Sequence, residues 1–571
     1  MSDMDDSARE SLLPSFGKVM SPKKLDSATE ALTTRVDRVK KAVQSRRDAP
    51  STLIGCAVFF GVLSGLVAYV YSAYFETMLW LMWEHIPLKL VQPRLENMHA
   101  MYDWFPAVQK VAWLYTLTIS TVFGGLVGIT QRYMGTPGDL PDTVSNVHKR
   151  GYIPIKQAPS MFICSSFSIS AGGSLGPEAA LLALCGATTS WVARKVFGFT
   201  GHRLRNMTLL GMTAGLAAFF GVALGGSLFA LEVLHRTGMQ FFEVTTYAVC
   251  CGVVCLAVFR GLAQKPFGDV WIFKQSLLIV DWRHIVYGAL MGCIAAAVAL
   301  YFMTTHKYVK RLFHKLGLHE HKAPVSCGFV GGFLVGLIGI LLPPTMFWGE
   351  YEINTLADQS RPLPHIWPRG GIYGLDVFWG STDYPWWLCL LICFTKLLAI
   401  SITVLSGFRG GFIFPTFFAG VAFGQAAWLG TRQIAFLKDL PPVLPCMTIA
   451  AGLETAITRT PLSTTLILAN LSGHTGVIVP CLASALTSLF LTLHKPFIAS
   501  QQDRSDIDLK DLEELLERDG HSILIDRSQH GTMHAHFGSQ DLRVSSGHDE
   551  ERQMAIDGRE FRHDNAQSNG H

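Results

Sequence analysis

Charge is what this sequence has least of. Of its 571 residues only 16% are Asp, Glu, Lys or Arg, while 49% are apolar; an ordinary soluble domain carries about 25% charged residues. The deficit lies in the middle of the chain. Residues 51–500 hold 48 charged side chains, about 11% of that segment. So long a stretch with so little charge excludes a soluble enzyme and specifies an integral membrane protein with room for well over ten spans. Basic stripes interleaved with aromatics are also missing, which removes nucleic acid as a partner.

What charge there is lies unevenly. The formal net charge of +4 combines +2 over residues 1–50, +10 over the middle and −8 over residues 501–571. The start, Met1-Ser-Asp-Met-Asp-Asp, precedes no short apolar core, so a cleaved secretory signal is not expected. Arg35, Arg38, Lys40, Lys41, Arg46 and Arg47 stand just before the first apolar run and assign that end to the cytoplasmic side.

The twelve cysteines all fall in the membrane segment, in company such as Val, Ala, Leu and Phe. Cys250, Cys251 and Cys255, and Cys389 with Cys393, lack the charged or His neighbours that a metal site needs. They read as small buried hydrophobes, with no metal or other cofactor expected.

Apolar runs recur from about Leu53 to Leu493. The first, from Leu53 to Met82, is longer than a perpendicular crossing requires and predicts a strongly tilted helix. Others are too short or too interrupted to cross alone: Met161–Ala171, Ala179–Val196, Met207–Phe220, Val222–Leu234 and Thr448–Ile457. In a bilayer they predict helices that end at mid-depth inside protein. A weak echo links Ala214-Gly-Leu and Leu224-Gly-Gly-Ser-Leu228 with Ala451-Gly-Leu and Leu462-Ser-Thr-Thr-Leu466. Each copy follows a Gly-rich, Pro-containing element by about 40 residues, the pattern of duplicated halves around a central site. Past the last run, Ser505-Asp-Ile-Asp508 predicts one short amphipathic helix. Beyond Ile525 the composition is that of a disordered, His-containing tail.

Four breaks in the apolar pattern share one physical logic: Gly135–Asp142, Gly172–Glu178, Ser406–Pro415 and His474–Pro480. Gly lets backbone approach a ligand, and Pro suits a first helical turn. A helix start buried in a bilayer exposes unpaired N–H groups and partial positive charge, which an anion or a tethered carboxylate can satisfy. Glu178 follows Gly176-Pro177 and is such a carboxylate; the same pattern would also serve as an acidic helix cap near the surface.

These elements resemble the CLC family of chloride channels and proton-coupled chloride transporters over roughly residues 51–498. Leu175-Gly-Pro-Glu178, Gly410-Gly-Phe-Ile-Phe-Pro415, Gly138-Asp-Leu-Pro-Asp142 and Thr458-Arg-Thr-Pro-Leu462 stand in the family's order with similar spacing. The resemblance implies an all-α polytopic membrane protein of two inverted-topology repeats of tilted and broken helices, assembled as a homodimer in the lipid bilayer. It divides the chain into an N-terminal segment (1–50), two repeats (51–265 and 266–498) and a tail (499–571) without paired regulatory domains.

The resemblance also places residues. Glu178 falls on the gating glutamate. Gly138, or Thr136 with a different gap, stands for the family's central serine, and Thr475, beside His474, for its central tyrosine. The amides of Phe412 and Ile413 match its coordinating amides. With serine and tyrosine replaced, selectivity among chloride, nitrate and bromide is open. The internal proton glutamate falls on Val233, with Glu232 one residue earlier and His235 a turn from Glu232. Val cannot accept a proton, so the expectation is a passive chloride or other small-anion channel, voltage- or pH-gated by Glu178. The alternative is a chloride/proton antiporter with Glu232 or His235 in a non-standard relay. Lys396, Arg409, Glu454 and Arg459 read as structural charges near helix ends, with Arg409 also able to raise the local anion potential. A serine protease of Ser227 and His235 is disfavoured, since eight residues along one helix they would not face each other, and no enzymatic function is expected.

Overall fold

The structure, a computed structural model, describes residues 50–101, 111–236, 239, 242–265, 270–273, 280–357, 384–432, 434 and 440–502. The chain divides into the units Met1–Arg504 and Ser505–His571, and all described residues belong to the first. The basic stretch before residue 50 and the helix expected after Ser505 lie outside the described residues.

Among the described residues the secondary structure is helical, without a strand. The first half contains α1 (Pro50–Trp80), α2 (Gln92–Met101), α3 (Trp113–Met134), α4 (Leu140–Arg150), α5 (Ala158–Ser170), α6 (Glu178–Lys195), α7 (Gly201–Phe220), α8 (Ala223–Glu232) and α9 (Phe242–Ala263). The second contains α10 (Trp282–Lys315), α11 (Pro324–Leu341), α12 (Glu352–Ala357), α13 (Trp386–Leu405), α14 (Ile413–Thr431), α15 (Val443–Thr458), α16 (Pro461–Leu471) and α17 (Ile478–Thr492). Among the described residues, eight helical stretches are long and apolar enough to cross a membrane. Fewer spans form than the length allows because much of the apolar sequence is spent on short helices buried among the long ones.

The first span is longer than the apolar run suggests. Two five-residue π turns, Leu81–His85 and Pro87–Val91, carry the helical path from α1 into α2, making a 50-residue stretch from Thr52 to Met101. The wider π turn fits here because Pro87 has no N–H to give an α-helical ladder.

The short helices follow the expected breaks. Gly172, at φ 75°, stops the chain after α5, and Gly221, at φ 70°, separates α7 from α8. Arg459 ends α15 at φ 67°, a left-handed position uncommon for a side chain with a Cβ. Its guanidinium compensates by donating to the carbonyls of Thr492 and Leu493. Both copies of the internal echo are helix–break–helix pairs, α7–α8 and α15–α16. The two pairs pack together: a Cβ on Gly225 of α8 would come 2.7 Å from Ile467 Cγ1 of α16. Elsewhere α3 meets α11 through Gly124, Gly128, Gly328 and Gly332, where an added methyl would overlap the opposite backbone. Association in lipid depends on such close approach.

Ten of the twelve cysteines are buried, Cys250 is partly buried and Cys293 is exposed, and all twelve are free thiols. Lys396 is buried at the middle of α13, where a helix-end role was expected. Its ammonium donates to the carbonyls of Thr345, Met346 and Phe347 at 2.8–3.1 Å, tying down the turn before α12.

Candidate functional site

Two helices begin at one point in the interior. The residue before Pro177, Gly176, pairs with Gly411, which lies two residues before α14. Gly176 N–H donates to Gly411 O, and Gly411 N–H to Gly176 O, both at 2.7 Å. Each half of the chain thus contributes one extended residue, and the starts of α6 and α14 are held together.

Glu178 fills the notch beside this pair. It is fully buried, and its Oε1 accepts from the amides of Ile413 at 2.9 Å and Phe414 at 3.4 Å. These are orphan donors of the α14 start, so the carboxylate meets both the free N–H groups and the positive end of the helix dipole. A methyl on Gly411 would overlap Glu178 Cγ and Cδ, and one on Gly176 would overlap its Oε2. Both positions therefore have to be glycine for the carboxylate to lie there. The other oxygen, Oε2, has no hydrogen-bond partner among the described residues.

Of the two amides expected at an anion, Ile413 N–H is one of the pair that Glu178 occupies; the other of that pair is Phe414, which the sequence pattern did not single out. Phe412 caps α14, and its ring meets Phe497 edge-on at 5.7 Å. Gly138 is buried beside Asp142 and Gln157, next to Asp139, the N-cap of α4. Thr136 is half-buried. Thr475 is exposed in the turn between α16 and α17, and its neighbour His474 packs near Phe273. An aromatic ring reaches Phe412 from Phe497, further along the chain.

A cavity of about 870 Å³ leads toward this point; its wall includes Ala179, Phe412 and Phe497, with Arg409 and Asp139 nearby. The far part of the wall comes from the last turns of α10, with Lys307 and Lys310.

The expected relay residues are engaged elsewhere. Glu232 Oε1 accepts from Leu462 N–H at 3.2 Å, while Oε2 accepts from Ser463 N–H at 2.9 Å and from the Ser463 hydroxyl. Glu232 thereby caps α16 from another helix. Val233 is buried. A ring nitrogen of His235 pairs with the Leu231 carbonyl at 3.1 Å, and its ring meets His148 edge-on at 5.8 Å. Glu232 and His235 face different partners. Ser227 gives its hydroxyl to the Ala248 carbonyl.

One residue read as a structural charge belongs to the site. Glu454, on α15, is fully buried and its Oε2 is hydrogen-bonded to Thr416 Oγ1, in the first turn of α14. Its Oε1 has no hydrogen-bond partner among the described residues. Thr416 Oγ1 also lies 2.9 Å from the Phe412 carbonyl and 2.8 Å from the Ile413 carbonyl. A hydroxyl has one proton and a carbonyl has none. When Thr416 donates to its own helix, the proton between Thr416 and Glu454 has to come from Glu454. The sequence signal was an acidic residue in the otherwise apolar run Thr448–Ile457; placement opposite α14 was not legible.

This is the arrangement of a polytopic membrane protein with a buried helix terminus whose amides hold a tethered carboxylate, and with a second buried carboxyl group hydrogen-bonded to the same helix. Residues 117–493 match the voltage gated chloride channel family, and the chain belongs to that family, the CLC proteins. A relative from Escherichia fergusonii, named "Putative ion-transport protein YfeO", is 24% identical over 372 residues, 64% of this chain and 77% of the relative. The fold is similar to the crystal structure of a slow cyanobacterial Cl⁻/H⁺ antiporter. That match has a TM-score of 0.60 and 16% identity, covering 81% of this chain and 99% of the other. A CLC-type fluoride/proton antiporter matches with TM-score 0.57 and 18% identity, over 79% and 98%. The protein is thus an all-α, multi-pass membrane protein of CLC fold, in a family of anion channels and transporters.

Proposed function

We propose that the protein exchanges a small anion, chloride in the first instance, for protons across its membrane, with Glu178 as the movable carboxylate. The observation that carries this reading is the pair of buried carboxyl groups on one helix start. Glu178 lies on the α14 amides and Glu454 on the hydroxyl one turn further. An anion that takes the amides of Ile413 and Phe414 displaces Glu178, whose charge is then costly in an apolar surrounding unless it takes up a proton. Glu454 and Thr416 stand ready to supply or receive it. The Phe412 and Gly138 segments form the approach to the amides; Thr475 takes no part. Two copies, each with its own pathway, form the working unit.

A second reading, passive conduction gated by Glu178, has its own support in Val233 and in the commitment of Glu232 to α16. Simultaneous recording of chloride and proton movement in vesicles separates the two. Exchange predicts uphill proton movement driven by a chloride gradient, abolished in Glu454→Gln while chloride flux persists. Chloride flux with no proton movement in the parent protein would establish the passive reading instead.

A further inference from the structure

Arg409 stands three residues before Phe412, at the wall of the 870 Å³ vestibule. Its side chain is only 5% exposed. Three contacts hold it there: its backbone N–H donates to Ser168 Oγ at 2.9 Å, its Nε to the Pro137 carbonyl at 2.9 Å, and its Nη2 faces Glu320 Oε2 at 3.1 Å. The first two are neutral acceptors: Ser168 holds the Arg409 backbone, and the Pro137 carbonyl holds the guanidinium. The third is a charge brought from a different element, the 316–323 segment between α10 and α11; its side chain is 30% exposed and lines the vestibule. A Cβ on Gly407 would lie 3.3 Å from Glu320 Cβ, so this segment rests on the backbone that leads into α14.

The relationship repeats that of Glu178 one step outward. A positive group on the path to the site is occupied by a carboxylate tethered elsewhere in the chain. We propose that Arg409 is an anion-receiving residue at the floor of the vestibule, and that Glu320 is the tethered carboxylate competing with the transported anion for it. The inference rests on the anion pathway above and adds a staging position before the α14 amides. Lys307, Lys310 and Lys495 on the vestibule wall raise the anion concentration there, and Arg409 is the fixed cation closest in sequence to the amides. Glu320 sets how readily an arriving anion gains it: the pair is wet at one end, so competition takes place in water without breaking the fold.

The test uses the full-length protein and sodium chloride as the probe, with binding and transport read separately. Glu320→Gln removes the competing charge and keeps the shape. It should tighten chloride binding in detergent, followed by calorimetry, and lower the half-saturating chloride for flux from the vestibule side, each by about two- to five-fold. The gain should fade as an inert salt is added. Arg409→Gln should weaken binding, and in that background Glu320→Gln should have no further effect; Arg409→Lys should restore part of it. A Glu320→Gln protein with unaltered chloride dependence, or a gain surviving in Arg409→Gln, would overturn the inference. If calorimetry follows the expectation while vesicles show no chloride flux, the transport reading fails and the Arg409 position stands. Normal flux with unchanged binding has the opposite meaning: transport stands and the Arg409 position falls.

Discussion

Gly176 and Gly411, 235 residues apart in the chain, exchange two backbone hydrogen bonds of 2.7 Å, and the carboxylate of Glu178 lies in the notch they leave. The pairing explains why a break rich in glycine occurs in each half. Neither residue of the pair has room for a side chain, and the group that uses this room is the carboxylate that occupies the first amides of α14.

Glu178→Gln should leave the pathway permanently permeable. Glutamine retains an oxygen for the Ile413 amide but carries no charge to hold it against the helix dipole. Chloride flux should persist at least at the parent rate and lose most of its dependence on pH, while proton movement stops. Flux recorded over a range of pH in vesicles checks this, and a variant that still moves protons would remove Glu178 from the role.

Gly411→Ala reaches the same end from the other side. The added methyl overlaps Glu178 Cγ and Cδ, so the carboxylate has to leave the amides. Proton coupling should fall as in Glu178→Gln, and the double variant should behave as either single one. Additive losses in the double variant would show that the two residues do not act at one place.

How far this site was legible in the sequence depends on the range of the contacts. Glu178, Gly176 and the start of α14 were visible because each is a local signal: Gly and Pro at a helix start, followed by an acid. Ile413 was visible by motif, while the contact of Glu178 with Phe414 N–H depends on helix phase, which the sequence does not display. The exposure of Thr475 in the turn before α17 was not legible, because a Gly-containing break reads the same in the sequence whether it lies inside the protein or at its surface. Glu454 looked like a helix-end charge and is a partner of Thr416, 38 residues away. The membrane character and the short helices were legible throughout, since hydropathy and glycine act locally. The π turns were not, because a proline in a long apolar run is as consistent with a kink as with a wider turn.

Thr416→Val should separate the proton path from the anion path. The change is close to isosteric and leaves the Ile413 amide in place, but it removes the hydroxyl that Glu454 shares with α14. Protons transported per chloride should drop several-fold with chloride binding preserved. Unchanged proton coupling would count against Glu454 as the second proton site, since Thr416 is its hydrogen-bonded link to α14.

Glu232→Gln should move stability and leave coupling alone. Glu232 accepts from two amides and a hydroxyl at the start of α16, the work of an N-terminal cap supplied in trans. Neutralising it keeps an acceptor and loses the charge–dipole attraction, at a cost of about 1 kcal/mol. Thermal unfolding in detergent should shift down by a few degrees on the order expected for that loss, while the proton-to-chloride ratio stays at the parent value. If the ratio falls with little change in unfolding temperature, Glu232 carries protons in spite of its capping contacts, and the place of Val233 as a break in the inner relay has to be reconsidered.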